Sequence, residues 1–342
     1  MLEIKDIVKG YDKGAEALCG LSLVVQDKGV YAILGDKDAG KTALARVICG
    51  CEDADSGEVL VDGVRMSRKN VALKKRVRLV PASLELYGTV TANEHLDFVG
   101  DTLGIVPDKK YRQIREALEL VMLEESQNKP FSALTVSERC RLSIAASLLG
   151  NPDILVLDDP FAHIEGSQLE ELYGLMDMLG KIKTVILLTH RPQEVKRLCE
   201  YVYILHDGRI ALGGRLTEIM EKINSTCQMY ISVRGDGETI AEAVRSVDPV
   251  VDVKVTGTEK DGVCSVSVEH LPDDRIKDKL FSALAAINAP MLSVRSVTLG
   301  LEDIFYSFRS TGSKRTEMAV KNKKDKKRKS GKASKDEVGG DK

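Results

Sequence analysis

The sequence predicts an α/β protein with a mainly parallel β-sheet, followed by a smaller α+β domain. Three observations predict this arrangement. Up to about residue 225, apolar runs with strand character alternate with segments of helical periodicity, as in a parallel sheet covered by helices. A glycine-rich loop ending in Gly-Lys-Thr joins one such strand to one such helix. Beyond residue 226 the order changes to strand, helix, strand, strand, helix, strand.

The alternating part contains strand-like runs and helical segments of ordinary length. The strand-like runs are residues 21–25, 30–34, 77–80, 154–157, 184–188 and 202–205. The helical segments are residues 42–49, 111–122, 137–149, 166–179 and 192–199. The runs at 154–157 and 184–188 are apolar without alternation, which is typical of central strands buried on both faces. A nucleotide is expected at the carboxyl ends of such strands.

Residues 35–42 read Gly-Asp-Lys-Asp-Ala-Gly-Lys-Thr, the pattern of a phosphate-binding loop. Glycines let backbone N–H groups turn towards an anion, and the following helix adds the positive end of its dipole. Lys41 can then reach the β and γ phosphates while the Thr42 hydroxyl ligates Mg²⁺. An ordinary glycine-rich turn is the alternative, but the strand before the loop and the helix after it favour the phosphate site. The residues predicted to form the phosphate site here are Gly35, Asp36, Lys37, Asp38, Ala39, Gly40, Lys41, Thr42 and Ala43.

The whole chain has a normal globular composition, with 342 residues of which 43% are hydrophobic and 30% charged. This leaves room for one large domain and a small one. All apolar runs are shorter than the ~18 residues that span a bilayer, and charges stand at the N-terminus where a signal peptide would be apolar. The cysteines are scattered without a C-x-x-C pair, so neither a zinc site nor a disulfide framework is indicated. We therefore expect a cytosolic protein.

The last segment differs from the rest in charge. Residues 314–342 contain twelve Lys or Arg against five acidic residues, although the whole chain has a net charge of -2. With almost no large apolar residue, residues 311–342 are predicted to be a disordered basic tail. The tail could have no partner, or it could bind anionic lipid headgroups. Nucleic acid is not expected, because no aromatic residue in the tail could stack on bases.

Residues 226–310 are predicted to form the small α+β domain, with the order βαββαβ of a ferredoxin-like fold. Its strands are residues 229–233, 251–255, 263–268 and 292–297, and its helices are residues 239–247 and 274–287. A short helix at 301–308 precedes the tail. No paired carboxylates and no His or Cys cluster appear in this part, so binding or docking is expected rather than catalysis.

Together these features resemble the nucleotide-binding subunit of an ATP-binding cassette (ABC) transporter, over residues 1 to about 222. Beside the phosphate loop, the matching motifs are Val8-Lys-Gly-Tyr11, residues 55–63, residues 80–91, Ile154-Leu-Val-Leu-Asp158-Asp159-Pro160 and Leu187-Leu-Thr-His190. The part ending in Leu301-Glu-Asp-Ile-Phe305 is similar to the appended domain of ATPase subunits from bacterial export systems. The resemblance implies a nucleotide-binding domain at 1–225 with a helical subdomain at about 83–150.

The resemblance also implies roles for single residues. Tyr11 would stack on adenine, and Asp158 would hold Mg²⁺ together with Thr42. Asp159 would act as the general base for the attacking water, and His190 would contact the γ-phosphate as the switch residue. The cofactors would be ATP and Mg²⁺.

Four departures from the family pattern fall at catalytic positions. Ala82 stands where the family has a glutamine, and alanine has no hydrogen-bonding side chain. Asp159 stands where the family has a glutamate one methylene longer. The signature loop reads Leu134-Thr-Val-Ser-Glu138 instead of Leu-Ser-Gly-Gly-Gln, although it keeps a helix-capping pattern. The D-loop reads Ala162-His-Ile-Glu165 instead of ending in Gly-Leu-Asp. Slow hydrolysis is expected, since one lost catalytic group typically costs about 10² to 10³ in rate.

We therefore expect an ATP-binding subunit of a bacterial ABC export system. ATP would close a dimer of like or unlike chains at the inner face of the cell membrane, and the dimer would move a separate permease through the segment around residues 82–87. The alternative is a pseudo-ATPase that binds ATP as a regulatory or scaffolding module, which the four departures motivate. A soluble family member acting on ribosomes or DNA is a third interpretation, but such proteins usually carry two cassettes in one chain.

Overall fold

The computed structural model describes residues 1–11, 15–223, 227–258, 262–297 and 300–306. By their internal contacts these residues divide into two compact units. One unit is Met1–Leu216 with the described residues from Phe305 onwards, and the other is Thr217–Ile304. The predicted basic tail at 311–342 lies outside the described residues. Within the described ranges, no helix combines the length and the apolar character needed to cross a membrane.

The described residues form fourteen strands and ten α-helices. The strands are β1 (Leu2–Tyr11), β2 (Ala15–Val25), β3 (Gly29–Gly35), β4 (Ser56–Val61), β5 (Val64–Arg65), β6 (Val77–Val80), β7 (Ile154–Asp158), β8 (Thr184–Thr189), β9 (Tyr201–His206), β10 (Arg209–Arg215), β11 (Cys227–Arg234), β12 (Val250–Thr258), β13 (Val263–His270) and β14 (Met291–Val297). The α-helices are α1 (Lys41–Ile48), α2 (Val71–Arg76), α3 (Ala92–Thr102), α4 (Pro107–Leu120), α5 (Val136–Leu148), α6 (Ser167–Ile182), α7 (Pro192–Leu198), α8 (Leu216–Ile223), α9 (Gly237–Arg245) and α10 (Ile276–Ala286).

The central sheet has six strands in the order β10-β9-β3-β8-β7-β6, and all neighbours run parallel except β10 and β9. Every residue of β7 is buried, and so are five of the six residues of β8, as predicted for central strands. On one face of the sheet, Val156 of β7 and Leu188 of β8 belong to the same buried cluster as Leu44 of α1. Leu157 is the next residue of β7, so its side chain points to the opposite face, and it is buried as well. The prediction of a mainly parallel sheet covered on both faces is confirmed.

A second sheet is antiparallel and has the order β2-β1-β4-β5. The predicted strand at 21–25 is the last part of β2 and lies in this sheet, outside the parallel one. The sequence pattern does not predict β1, because the register with β2 shifts between Ile4 and Ile7. Such a shift breaks the alternation of apolar and polar residues that identifies a strand from sequence.

The helices α3, α4 and α5 follow β6 and precede β7, within the range predicted for a helical subdomain. The sequence pattern does not predict α3, and the helix predicted at 111–122 begins later than α4 does. Pro107 begins α4, which is a favourable place for proline because the first N–H of a helix has no partner to lose. Lys110 of α4 lies 2.6 Å from carboxylate oxygens of both Asp97 and Asp101 on α3. These ion pairs connect the two helices.

The second unit contains a four-stranded antiparallel sheet in the order β12-β13-β11-β14. One face of this sheet packs against α9 and α10, through a buried cluster that includes Val233, Val266, Ile240 and Leu280. The predicted strands and helices of this region are all present, with ends that differ by a few residues. The described residues 301–306 are helical, within the predicted helix at 301–308.

Candidate functional site

The loop between β3 and α1 requires glycine at its end. Gly40 has a φ of 99° and precedes the first helical residue, Lys41. This left-handed conformation favours glycine, and a Cβ at Gly40 would lie 2.2 Å from the carbonyl oxygen of Ala17 on β2. The first N–H groups of α1 have no acceptor within the helix. The loop therefore presents backbone donors and a positive helix end at the carboxyl edge of the central sheet.

Lys41 folds back over this loop. Its ammonium group donates hydrogen bonds to the carbonyl oxygens of Gly35, at 2.9 Å, and Asp36, at 2.7 Å. Only 7% of the residue is exposed. Burial lowers the pKa of Lys41, while the nearby carboxylates of Asp159 and Asp158 act in the opposite direction. The cation thus stands between the glycine-rich loop and two acidic side chains.

Asp158 ends β7 and is buried, with 6% of the residue exposed. Burial raises its pKa, and a hydrogen bond with the side chain of Thr42 opposes this shift. Thr42 is the second residue of α1, so this hydrogen bond joins the start of α1 to the end of the central strand. A hydroxyl and a carboxylate oxygen at one place are ligands that Mg²⁺ prefers. Thr42 and Asp158, the two residues predicted to hold Mg²⁺, therefore lie side by side.

Asp159 follows Asp158 and has a φ of 49°, which turns the chain out of the strand. Its backbone N–H donates to the carbonyl oxygen of Leu188 on β8. One carboxylate oxygen, Oδ2, lies 2.7 Å from Nδ1 of His190. The other, Oδ1, is buried and has no hydrogen-bond partner in the described part of the chain. A buried acceptor without a partner is costly, so this oxygen is well suited to receive a hydrogen bond from a bound water.

A network of buried groups fixes the backbone on both sides of His190. The Thr189 hydroxyl donates to the Glu194 carboxylate at 2.5 Å and accepts from the backbone N–H of Arg191 at 3.0 Å. Glu194 lies on α7 and is 1% exposed, and burial raises its pKa. The Arg191 guanidinium donates to Glu194 and to the carbonyl oxygen of Phe161. The network therefore ties the end of β8 to the loop after β7.

Tyr11 forms a separate cluster at the end of β1. Its hydroxyl donates to Glu52 at 2.6 Å, and Arg46 of α1 donates to the other oxygen of the same carboxylate at 3.1 Å. The Lys9 ammonium lies 5.7 Å from the centre of the Tyr11 ring. The residue is 46% exposed. An anchored tyrosine with an exposed face can stack on a base.

The signature segment begins α5 with the predicted capping box. The Thr135 hydroxyl accepts from the backbone N–H of Glu138, and the Glu138 side chain accepts from the backbone N–H of Thr135. Ser126 and Lys129 also donate to the Glu138 carboxylate. Val136 is 52% exposed, so an apolar side chain stands at the surface where the family pattern has glycine. The helix start is confirmed, while a phosphate contact of Thr135 stays a prediction.

The other departures lie in two exposed loops. Ala82 is an exposed residue of the loop after β6. In the loop after Asp159, His163 is exposed with a φ of 68°, whereas Ile164 is 2% exposed. Ile164 is thus a core residue that anchors this loop.

Sequence reasoning missed two carboxylates that position predicted site residues. Glu194 supports the backbone around His190, and Glu52 supports the Tyr11 hydroxyl. The sequence contains a signal for Glu194, because this residue stands four positions after His190 and follows a proline that is typical of a helix start. Glu52 had none, because a lone acid in a loop is usually solvated.

Known proteins resemble this chain in sequence and in fold. Residues 18–162 match the model of the ABC transporter family. The chain is 26% identical to the linearmycin resistance ATP-binding protein LnrL of Bacillus subtilis (strain 168), over 89% of this chain and 97% of LnrL. It is 26% identical to the methionine import ATP-binding protein MetN of Staphylococcus haemolyticus (strain JCSC1435), over 65% of this chain and 67% of MetN. The solved dimeric post-hydrolysis state of an ATP-binding cassette with ADP and Pi is 23% identical, with a TM-score of 0.57, over 63% of this chain and 99% of that one.

The fold and the site define a P-loop ATPase with α/β sheets. Residues 18–162 match the ABC transporter family, and the chain is similar over most of its length to a protein named as an ATP-binding protein. Its reaction is the hydrolysis of ATP, and its cofactors are ATP and Mg²⁺. Among the solved structures that resemble this chain, one cassette is dimeric with ADP and Pi bound, and another is a bacterial Atm1-family ABC exporter with ATP bound.

Proposed function

We propose that this chain is the ATPase subunit of an ABC exporter and drives a separate membrane permease, with slow hydrolysis. One observation carries the proposal of export. The alignment with the linearmycin resistance protein spans 89% of this chain and 97% of that protein, whereas the alignment with the methionine importer spans 65% and 67%. The resistance protein therefore shares the region after the nucleotide-binding part. Resistance also fits removal of a compound better than uptake.

The residues of the site have separate tasks in ATP binding. The loop Gly35 to Ala43 would hold the phosphates with backbone N–H groups, and Tyr11 would stack on the adenine. Lys41 would exchange its hydrogen bonds to loop carbonyls for bonds to the γ-phosphate. Thr42 and Asp158 would hold Mg²⁺, which when bound neutralises phosphate charge and orients the phosphates.

The tasks in hydrolysis fall to Asp159 and His190. His190 holds Oδ2 of Asp159, which leaves Oδ1 to accept a proton from the attacking water. A carboxylate one methylene shorter than glutamate reaches less far, and proton transfer requires about 2.6 to 3.2 Å between heavy atoms. The side chain of Ala82 offers no hydrogen bond to the attacking water. We therefore propose low turnover rather than loss of turnover.

A permease would dock on a groove beside the Ala82 loop. This groove has a volume of about 1070 Å³, and Leu86, Tyr87, His95 and Phe98 are among the residues that line it. Tyr87 is 86% exposed and Phe98 is 69% exposed. Exposed aromatic side chains that border one groove mark an interaction site. We propose that this groove receives a segment of the permease and transmits dimer closure to it.

The remaining proposals concern the rest of the chain. The strand order β12-β13-β11-β14 supports a ferredoxin-like domain at 226–310, and the nucleotide-binding domain would then be residues 1–225. The basic tail at 311–342 would bind anionic lipid headgroups at the inner face of the membrane. The active form would be a dimer of this chain or of this chain with a second ABC ATPase.

Steady-state ATP turnover with and without the permease tests the proposal. The chain is combined in liposomes with its permease, which is sought as a six-span membrane protein encoded by an adjacent gene. We expect low turnover that rises several-fold with the permease. The permease should raise the turnover of a Tyr87→Ala variant less, although this variant binds Mg-ATP as wild type does. Phe281→Ala, an exposed aromatic residue of α10, is the matched control. Turnover that no permease changes would contradict the proposal.

A further inference from the structure

A second cavity is lined by residues of the Ala82 loop and by none of the P-loop residues. Its volume is about 510 Å³, within the range of small-molecule sites. Its walls are the loop after β6, the first turns of α5 and the loop after Asp159. The residues that line it include Ala82, Phe131, Val136, Arg139, Cys140 and Ser143. The cavity shares Glu85 and Leu86 with the groove proposed for the permease, but Arg139, Cys140 and Ser143 have no role assigned above.

One face of α5 lines the cavity. Val136, Arg139, Cys140 and Ser143 follow one another at helical spacing, so their side chains share that face. Ser143 is 4% exposed, and its hydroxyl has no hydrogen-bond partner among the residues described. The Ser147 hydroxyl, one turn later, lies within hydrogen-bond distance of the carbonyl oxygens of Leu79 and Ser143 and can donate to either. Ser137 of the same helix also has a buried hydroxyl without a partner among the described residues, but only Ser143 lines the cavity.

Arg139 adds a cation to the same face. Its Nε atom is buried and without a hydrogen-bond partner in the described ranges. The guanidinium lies 4.6 Å from the centre of the Phe131 ring and makes one long hydrogen bond, of 3.5 Å, to the carbonyl oxygen of Ser132. No ion pair of Arg139 is present in the described part of the chain. Glu85 also lines the cavity but is an exposed loop residue.

We propose that this cavity binds a small organic carboxylate with an apolar body. A carboxylate has two acceptor oxygens, which can accept from terminal N–H groups of the Arg139 guanidinium and, once the Ser143 side chain turns towards the cavity, from its hydroxyl, and which neutralise the unpaired charge. Leu84, Phe131 and Val136 form an apolar part of the wall that suits a hydrocarbon body, beside the polar side chains of Ser83, Glu85 and His163. A doubly charged phosphate fits less well, because the cavity offers one guanidinium and also contains the Glu85 carboxylate.

Isothermal titration calorimetry with 3-phenylpropionate and its neutral isostere 3-phenylpropionamide tests the proposal on the full chain without ATP. We expect the carboxylate to bind once per chain and the amide to bind at least about 10-fold more weakly, since a charge-assisted hydrogen bond is lost. Arg139→Met and Ser143→Ala should each weaken binding of the carboxylate. The matched controls are Arg115→Met, at an exposed position of α4, and Ser147→Ala.

Thermal unfolding of the same variants distinguishes a loss of carboxylate binding from a loss of folding. Ser143→Ala should leave the unfolding temperature unchanged or raise it, because it removes a buried hydroxyl without a partner. Ser147→Ala should lower it. Absence of carboxylate binding, equal binding of the two probes, or equal binding by folded Arg139→Met protein would each overturn the proposal. Because ATP is absent, a failure here leaves the proposed transport function untouched.

Discussion

Oδ2 of Asp159 lies 2.7 Å from Nδ1 of His190, while Oδ1 of the same carboxylate is buried and has no partner among the described residues. The histidine therefore fixes the orientation of the acid, and the buried network at Thr189 and Glu194 fixes the histidine in turn. The two residues directly follow the neighbouring parallel strands β7 and β8. The short side chain of Asp159 limits how far the free oxygen can reach.

Lengthening this acid should speed hydrolysis. We expect Asp159→Glu to raise steady-state ATP turnover several-fold, because the added methylene extends the carboxylate towards the attacking water. Asp159→Asn should lower turnover by about 10² or more, because the base is lost. A phosphate-release assay at saturating Mg-ATP measures both variants. Equal turnover of the two variants would contradict a role of Asp159 as the base.

Gly40 should tolerate no side chain. Its φ of 99° and the 2.2 Å approach of a Cβ to the Ala17 carbonyl oxygen both oppose alanine. We expect Gly40→Ala to cost more than about 1 kcal/mol of the free energy of unfolding and to weaken Mg-ATP binding. Gly63→Ala is the matched control, since Gly63 also has a positive φ, of 77°, but open space around it. Urea unfolding compares the two, and equal losses would contradict the steric argument.

Glu138 should stabilise the protein above about pH 4.5 and lose this effect in acid. Burial raises the pKa of this carboxyl, but hydrogen bonds from Ser126, the Thr135 backbone and Lys129 outweigh burial and lower the pKa from 4.5 to about 2. A lowered pKa gives stability above the unfolded value that is lost as the pH falls through the folded value. Glu138→Gln should therefore cost about 1 to 3 kcal/mol at pH 7, and its deficit should close between pH 4.5 and about 2. Urea unfolding over that range is the measurement, with exposed Glu125→Gln as control, and a constant deficit would argue against it.

Tyr11 should contribute its ring to ATP binding and its hydroxyl only indirectly. Base stacking on an aromatic ring is worth about 1 to 3 kcal/mol, so Tyr11→Ala should raise the Kd for Mg-ATP by about 10-fold. Tyr11→Phe keeps the ring and loses only the hydrogen bond to Glu52, so its Kd should change less than about 3-fold. Calorimetric titration measures both. Equal effects of the two substitutions would show that the ring does not contact the base.

Sequence patterns predicted most of the parallel sheet and the P-loop, because those elements are locally specified. The strand at 154–157 is apolar without interruption, and the Gly-Lys-Thr ending of the loop leaves few alternatives. β1 escaped prediction because its register shift near Ile4 hides the alternation. α3 escaped because its apolar face is short, with only Ala92, Leu96 and Gly100 buried.

The contacts that shape the site could not be read from sequence. Nothing in the order of residues shows that Lys41 hydrogen-bonds its own loop or that Glu52 anchors Tyr11. The unpaired hydroxyl of Ser143 was equally hidden, because a serine within a helix usually bonds to a carbonyl one turn back. These features depend on contacts between distant segments.

The central claim is that the loop at Gly35 to Thr42 binds a triphosphate with Mg²⁺, and calorimetric titration with Mg-ATP tests it most directly. We expect one nucleotide per chain, and at least about 10-fold weaker binding by Lys41→Ala, because charge-assisted hydrogen bonds to phosphate are lost. Lys37→Ala, within the same loop, keeps the buried ammonium and should bind more tightly than Lys41→Ala. No heat of Mg-ATP binding by the wild-type chain, or equal affinity of wild type and Lys41→Ala, would contradict the account.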